Sequence, residues 1–506
     1  MDMQRSGLPS SCAMGQKGLI WMKSHSLIYN MLLCQGVEEL HNRYITTLGV
    51  VLIVSSGFFV PGSSTQTPQT KHEATPSSAS INLLNLKPVG KPTVAEKRAV
   101  FNRVWKLFSV HYPSFSFKVV NWKKEKTIYE PKALRANTWS KFFGEINEMI
   151  LTLHDYHSGL VNAPSTPYYS PAILTQYVDN QLVVVAAPQA SKIRPGMVVL
   201  GTNGVSINNF MDGIGVPSTQ VPDFFRPLGF QIRDVFLENS DRPEEITVYN
   251  PKSGNVLSET LPVYDHSHLQ AIWNHFAKQH PVVMSQFGNS PAFNIRSLGG
   301  GITYLKISSM DSNLWQQLES HMNEIVHSKG LIIDLRNNGG GNSAPGSWFA
   351  QHFYSKPTTA LERRPSANVP WIPEILQPLL PRISVPTAVL INGEDWSSAE
   401  MFIAQLEAAP NVETFGSRTM GADGNPVFYP VMNGVEVKIS SWQERVTSTG
   451  LPIEQFGITP EKEVQESYTN FLKELSLSYD NKGSAQYDDV LQKANVWVRS
   501  KIQSSD

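Results

Sequence analysis

The sequence reads as an α/β protein, with a helical module ahead of it and a small β-rich module between the two. Three observations carry this. From about Leu298 onward, apolar runs of strand length alternate with segments of helical period, the pattern of an α/β layer architecture. Upstream, Ala95–Leu160 carries apolar residues at helical spacing. Between them, Pro167–Asp265 alternates short β-branched runs with turn residues.

The chain has 506 residues, room for several domains. Its 42 Lys+Arg against 43 Asp+Glu leave a net charge of −1, so no basic balance points to nucleic acid or an anionic surface. The two cysteines, Cys12 and Cys34, precede the apolar run Tyr44–Val60, so no disulfide, thiol nucleophile or thiolate ligand belongs to the part expected to fold.

Residues 1–42 are an extension of uncertain status, and Met31 offers an alternative start. Residues 43–62 read as a signal peptide or membrane anchor: Arg43, the apolar run, then Pro61-Gly62-Ser63-Ser64. Residues 63–94 read as a linker, with Ser63–Ser80 rich in Ser, Thr and Pro. An apolar run followed by a polar tether predicts export, to a periplasmic, extracellular or membrane-anchored location facing outside.

Residues 95–165 form the helical module. Trp139, Phe142, Phe143, Ile146, Met149, Ile150 and Leu153 define its clearest helix, which runs into Leu153-His154-Asp155-Tyr156-His157-Ser158-Gly159. Here His157 is either a catalytic group or a cap on a helix end. His-x-x-His also invites a metal, but no further His, Cys or carboxylate cluster completes a zinc set, and no cofactor is implied. Residues 166–268 form the β-rich module, with a strand at Gln181–Ala186 and a pair, Glu245–Asn250 and Val256–Val263, joined at Lys252-Ser253-Gly254. Such a module serves either as a spacer or as a peptide binder by strand addition.

Residues 269–470 hold the α/β core. Gly301–Ile307 and Leu331–Leu335 are strands, with a helix over Leu314–Val326 between them. After the second strand comes Arg336-Asn337-Asn338-Gly339-Gly340-Gly341, whose glycines let backbone N–H groups approach an anion. Asp334 and Arg336 are read as supports of that loop. A further helix is expected near Gly346–Tyr354. The strand Ala388–Ile391 hands over through Asn392-Gly393-Glu394-Asp395 to a helix opened by Ser397 and Ser398. A serine there presents its hydroxyl beside unpaired helix N-terminal amides. The competing reading of Ser397 with Glu400 is a capping box. Val427–Val431 and Gly434–Ser440 form a hairpin, and residues 471–506 a helical tail with an amphipathic helix over Tyr487–Ile502.

Leu153–Gly159 (LHDYHSG), Leu331–Gly341 (LIIDLRNNGGG), Trp396–Phe402 (WSSAEMF), Phe415–Gly421 (FGSRTMG) and Glu454–Pro460 (EQFGITP), in this order, resemble the motifs of the S41 peptidase family, the carboxy-terminal processing and tricorn-core group. The resemblance spans roughly residues 95–470. It implies a crotonase/ClpP-like catalytic core, with Ala190–Gly204 as a degenerate PDZ-like turn in which Met197 replaces the usual Asp.

The family's Ser–Lys version places its lysine in a T-x-G-K-G segment; here Thr419-Met420-Gly421-Ala422-Asp423-Gly424 has none. The tricorn-like Ser–His–Glu version finds its positions filled by Ser397, His157 and Glu454, with Ser397 chosen over Ser398 by its spacing to Glu400. Such a triad suits acyl transfer: histidine takes the serine proton and a carboxylate fixes its tautomer. Oxyanion donors are then the Ser398 amide and one from Gly339 or Gly340. The expectation is a serine peptidase acting on polypeptides. The alternatives are an inactive S41-like protein that binds peptide or an apolar ligand, and an ester or lactone hydrolase built on the same residues. No G-x-S-x-G surrounds Ser397.

Overall fold

The computed structural model describes residues 82–165, 168–207, 241–287, 292–482 and 485–505. The segment 43–62, most of the linker, Cys12 and Cys34 lie outside the described residues. Among the described residues no helix is long and apolar enough to cross a membrane.

The helical module starts at Val94–His111, where Thr93 accepts the Glu96 amide (3.2 Å) and Glu96 Oε2 accepts the Thr93 amide (2.8 Å), a capping box. Trp122–Arg135 and Trp139–Leu151 follow. Phe101, Phe108, Phe142, Phe143 and Ile146 are fully or almost fully buried. Their core also holds Val431, Val437 and Ile439 of the hairpin Pro426–Met432/Val435–Ser440, which turns at Asn433-Gly434. The short strand Gly159–Val161 joins that hairpin antiparallel, Gly159 opposite Lys438 and Leu160 opposite Val437. The linker is shorter than expected: Leu83 and Leu86 pack on this core, and the Leu86 carbonyl accepts the Asn433 amide (3.0 Å).

The central sheet has six strands. Phe293–Ser297 is antiparallel to Ile302–Ile307; Gly330–Asp334, Thr387–Ile391, Val412–Gly416 and Lys462–Glu463 then add on in parallel. Strand alternation sends Leu331, Ile333, Val389 and Ile391 to one face, where Leu314–Val326, Ser343–Ala350 and Ser398–Glu407 cover them. Ile332, Ala388 and Leu390 go to the other face, covered by Val490, Leu491, Ala494 and Val498 of the helix Asp489–Ser505. Residues 471–506 are therefore no tail, because they carry one layer of the core. The helix Tyr468–Tyr479, which no periodicity in the sequence pointed to, packs Phe471 and Leu475 on Val183 and Val185 of the β-rich module.

That module is an antiparallel sheet running Leu174–Val178, Gln181–Ala186, Val198–Thr202, Glu244–Asn250 and Asn255–Leu261. Met197 is buried in its core, which accounts for an apolar residue at a turn position. A further small sheet, Ile372–Leu376, Thr358–Arg364 and Gln443–Val446, also escaped the sequence reading.

Candidate active site

Ser397 lies between the strand Thr387–Ile391 and the helix Ser398–Glu407, at φ 61° and ψ −131°. A non-glycine residue rarely adopts a positive φ, and such a residue costs roughly 1–3 kcal/mol. The surroundings hold it there. Asp395, fully buried, accepts the Asn338 and Asn392 amides (both 2.9 Å). The Ser397 amide donates to the Ala422 carbonyl (2.8 Å) and to Glu400 Oε2 (3.3 Å). Glu400 also accepts the amides of Gly421 (2.7 Å) and Ala422 (3.0 Å) and the Thr419 hydroxyl (2.5 Å). Burial pushes its carboxyl up to about 8, against the pull of these donors. The Glu400 half of the expected cap is thus present, and it joins the serine turn to Thr419–Ala422.

The hydroxyl faces elsewhere. His157 Nε2 lies 2.9 Å from Ser397 Oγ, across 240 residues of sequence. Two features bring His157 there. Gly159–Val161 is zipped to the hairpin, and Asp155 accepts the His157 amide (2.8 Å), the Ser158 hydroxyl (3.1 Å) and the Ser440 hydroxyl (2.8 Å). Gly424 allows the approach, since a Cβ on it would sit 2.2 Å from Ser440 Oγ and 3.2 Å from His157 Cβ. Trp396 packs against the imidazole, with ring centroids 5.3 Å apart. Burial lowers the His157 pKa from its ordinary value; the Asp155 carboxylate opposes this and the Lys438 ammonium adds to it. At neutral pH the ring is therefore uncharged and able to accept a proton.

Glu454 is the expectation that changes. It is buried, but its oxygens go to Lys118 Nζ (2.5 Å) and to the Asp423 amide (3.0 Å), and it makes no hydrogen bond to His157. His157 Nδ1 is buried without a partner among the described residues. Burial pushes the Glu454 carboxyl up, Lys118 opposes this, and Asp155 adds to it. Lys118, which sequence reasoning missed, has no motif around it to mark it. Gly340 changes too: its amide already donates to Asn338 Oδ1 (2.9 Å). The amides of Gly339 and Ser398 have no hydrogen-bond partner among the described residues. The glycine loop lies directly over them, since a Cβ on Gly340 would be 3.1 Å from the Ser398 nitrogen and 2.7 Å from Ser397 Cβ. Asp334 and Arg336 support the loop from behind, with Asp334 holding the Arg336 amide (3.1 Å) and guanidinium (2.7 Å) and the Tyr304 hydroxyl (2.7 Å).

A serine, a histidine and two amides without partners among the described residues thus meet in segments that match known families. The model for peptidase family S41 matches residues 301–464, and that for the tricorn protease C1 domain matches residues 93–150. Residues 301–464 belong to peptidase family S41. That match places residues 301–464 with a family of serine-type peptidases. Among solved structures, mature CPAF complexed with lactacystin superposes with a TM-score of 0.60 at 15% identity, covering 81% of this chain and 99% of that one. Mature CPAF alone gives 0.59 at 16% identity, covering 77% and 98%. Such identities speak for the fold. No curated protein matches the sequence. The S41 domain carries Ser397 and Glu454, whereas His157 comes from just beyond the region matched to the C1 domain.

Proposed function

We propose that this S41 protein hydrolyses peptide bonds in polypeptides outside the cytoplasm, with Ser397 as nucleophile, His157 as its base and Glu454 as the buried carboxylate behind them. The 2.9 Å contact between His157 Nε2 and Ser397 Oγ carries the reading. A serine hydroxyl is a weak nucleophile until a base takes its proton, and a neutral imidazole within hydrogen-bond reach is such a base. The Ser398 and Gly339 amides supply the oxyanion donors, each worth roughly 3–4 kcal/mol of transition-state stabilisation. The Asp155 carboxylate favours the protonated imidazole, which then returns its proton to the leaving amine. A peptide-binding protein without catalysis has no need of a strained serine in contact with a buried histidine, so that alternative loses its support.

The test is labelling by a fluorophosphonate of wild type, Ser397→Ala and His157→Ala. Wild type alone should label, with all three folded by circular dichroism; a folded wild type that stays unlabelled sinks the proposal. The exported location rests on Tyr44–Val60 and the polar stretch after it. Cell fractionation should find the protein outside the cytoplasm, and full-length protein confined to the cytoplasm would refute this.

A further inference from the structure

Glu454 and Asp155 are both buried, and the Asp155 carboxylate helps push the Glu454 carboxyl up. Asp155 is served by neutral donors: the His157 amide and the hydroxyls of Ser158 and Ser440. Glu454 has one neutral donor, the Asp423 amide. Its remaining partner is Lys118, whose side chain is 3% exposed and whose second bond goes to the His154 carbonyl (3.0 Å). Lys118 belongs to neither the S41 match nor a helix; it follows the turn Pro113–Ser116. Gln443 pins that turn by donating to the Pro113 carbonyl (2.6 Å).

We propose that Lys118 is a positioning residue for the Ser397–His157 pair: its ammonium ties the Glu454 carboxylate to the carbonyl of His154, on the same turn as His157. The inference rests on the reading of Ser397 and His157 as nucleophile and base. Lys118 touches neither reacting atom. It acts by fixing the backbone that carries the imidazole, through its bonds to Glu454 and to the His154 carbonyl. Removing the lysine leaves the His154 carbonyl without this donor and the buried Glu454 without its cation, and a Glu454 that no longer holds the ammonium lets it leave that carbonyl. The titratable groups facing the site are Lys118, Asp155 and the neutral Tyr112 phenol around Glu454, and Asp155 and Lys438 around His157.

The experiment measures fluorophosphonate labelling of the full chain for wild type, Lys118→Met, Glu454→Gln and the double variant. It reads the final labelled fraction, the rate at saturating probe and the half-saturating concentration. Each single variant should slow the saturated rate roughly 10–100-fold, the range for groups that orient a reacting side chain. Labelled fraction and half-saturation should stay at the wild-type values. The double variant should label within about threefold of Glu454→Gln, because Lys118 acts through that carboxylate. This last comparison decides the matter even where Lys118→Met alone fails to fold. The inference is overturned by a Lys118→Met rate equal to wild type, or by a smaller labelled fraction at the wild-type rate, which marks a purely structural pair. A double variant about tenfold slower than Glu454→Gln also overturns it. A folded wild type that never labels removes the serine reading itself, whereas a labelling wild type indifferent to Lys118 removes only this inference.

Discussion

His157 and Ser397 do their work through environment more than identity. His157 is 5% exposed, and the ring's loss of solvent outweighs the Asp155 carboxylate, so its pKa falls below the ordinary 6.5. The base form is needed, so labelling by a fluorophosphonate should be flat at neutral pH and fall on the acid side, with a midpoint below 6.5. A midpoint above 6.5 in a rate–pH profile contradicts the assigned environment. The same shift acts on stability. The unfolded chain binds a proton at this histidine near pH 6.5 while the native chain still resists it. The His157 contribution to stability therefore falls as pH drops from about 6.5 to the native pKa. At Ser397 the strained backbone is held by Asp395, Glu400 and the Ala422 carbonyl, so the unfavourable φ is over-determined rather than tolerated.

At the scale of elements, the helical module and the S41 domain are joined through one core. Phe142 and Phe143 of the module and Val431, Val437 and Ile439 of the hairpin belong to the same cluster. The hairpin in turn positions Asp155 and His157 through Ser440 and the strand pairing at Gly159. Phe142→Ala should therefore cost roughly 3–5 kcal/mol, since Phe142 is fully buried. Its effect should also reach the site, slowing labelling in the chains that remain folded. Denaturant unfolding and labelling rate check the two parts. A destabilised variant that labels at the wild-type rate would show that the module and the site are mechanically separate.

For the whole molecule, the C-terminal helix Asp489–Ser505 closes one face of the central sheet, and a Cβ on Gly330 would sit 2.4 Å from Val498. Ending the chain at 482 uncovers Ile332 on the strand before the glycine loop and Ala388 and Leu390 on the strand before the serine turn. Such a truncated protein should be insoluble or unfolded and should not label. A soluble, labelling product would restore the view of this segment as a dispensable tail.

Local chemistry was legible in the sequence wherever neighbours in the chain are neighbours in space. The strand before Ser397, the helix after it, the glycine loop and the helical period of Trp139–Leu151 all follow from short-range spacing. The family motifs also singled out Ser397 and His157, which the fold then brings to 2.9 Å. What short-range pattern could not reach is partnership. Gly340 was one donor candidate among adjacent glycines until Asn338 was seen to take its amide. Glu454 was matched to His157 by motif, yet Lys118, 336 residues away in sequence, holds it. A buried carboxylate takes whichever cation the packing brings within reach, and that choice is made by the meeting of the helical module with the S41 domain. The kinds of chemistry present are written along the chain; which charge faces which is a property of tertiary contacts, because only burial removes the water that would otherwise serve them all.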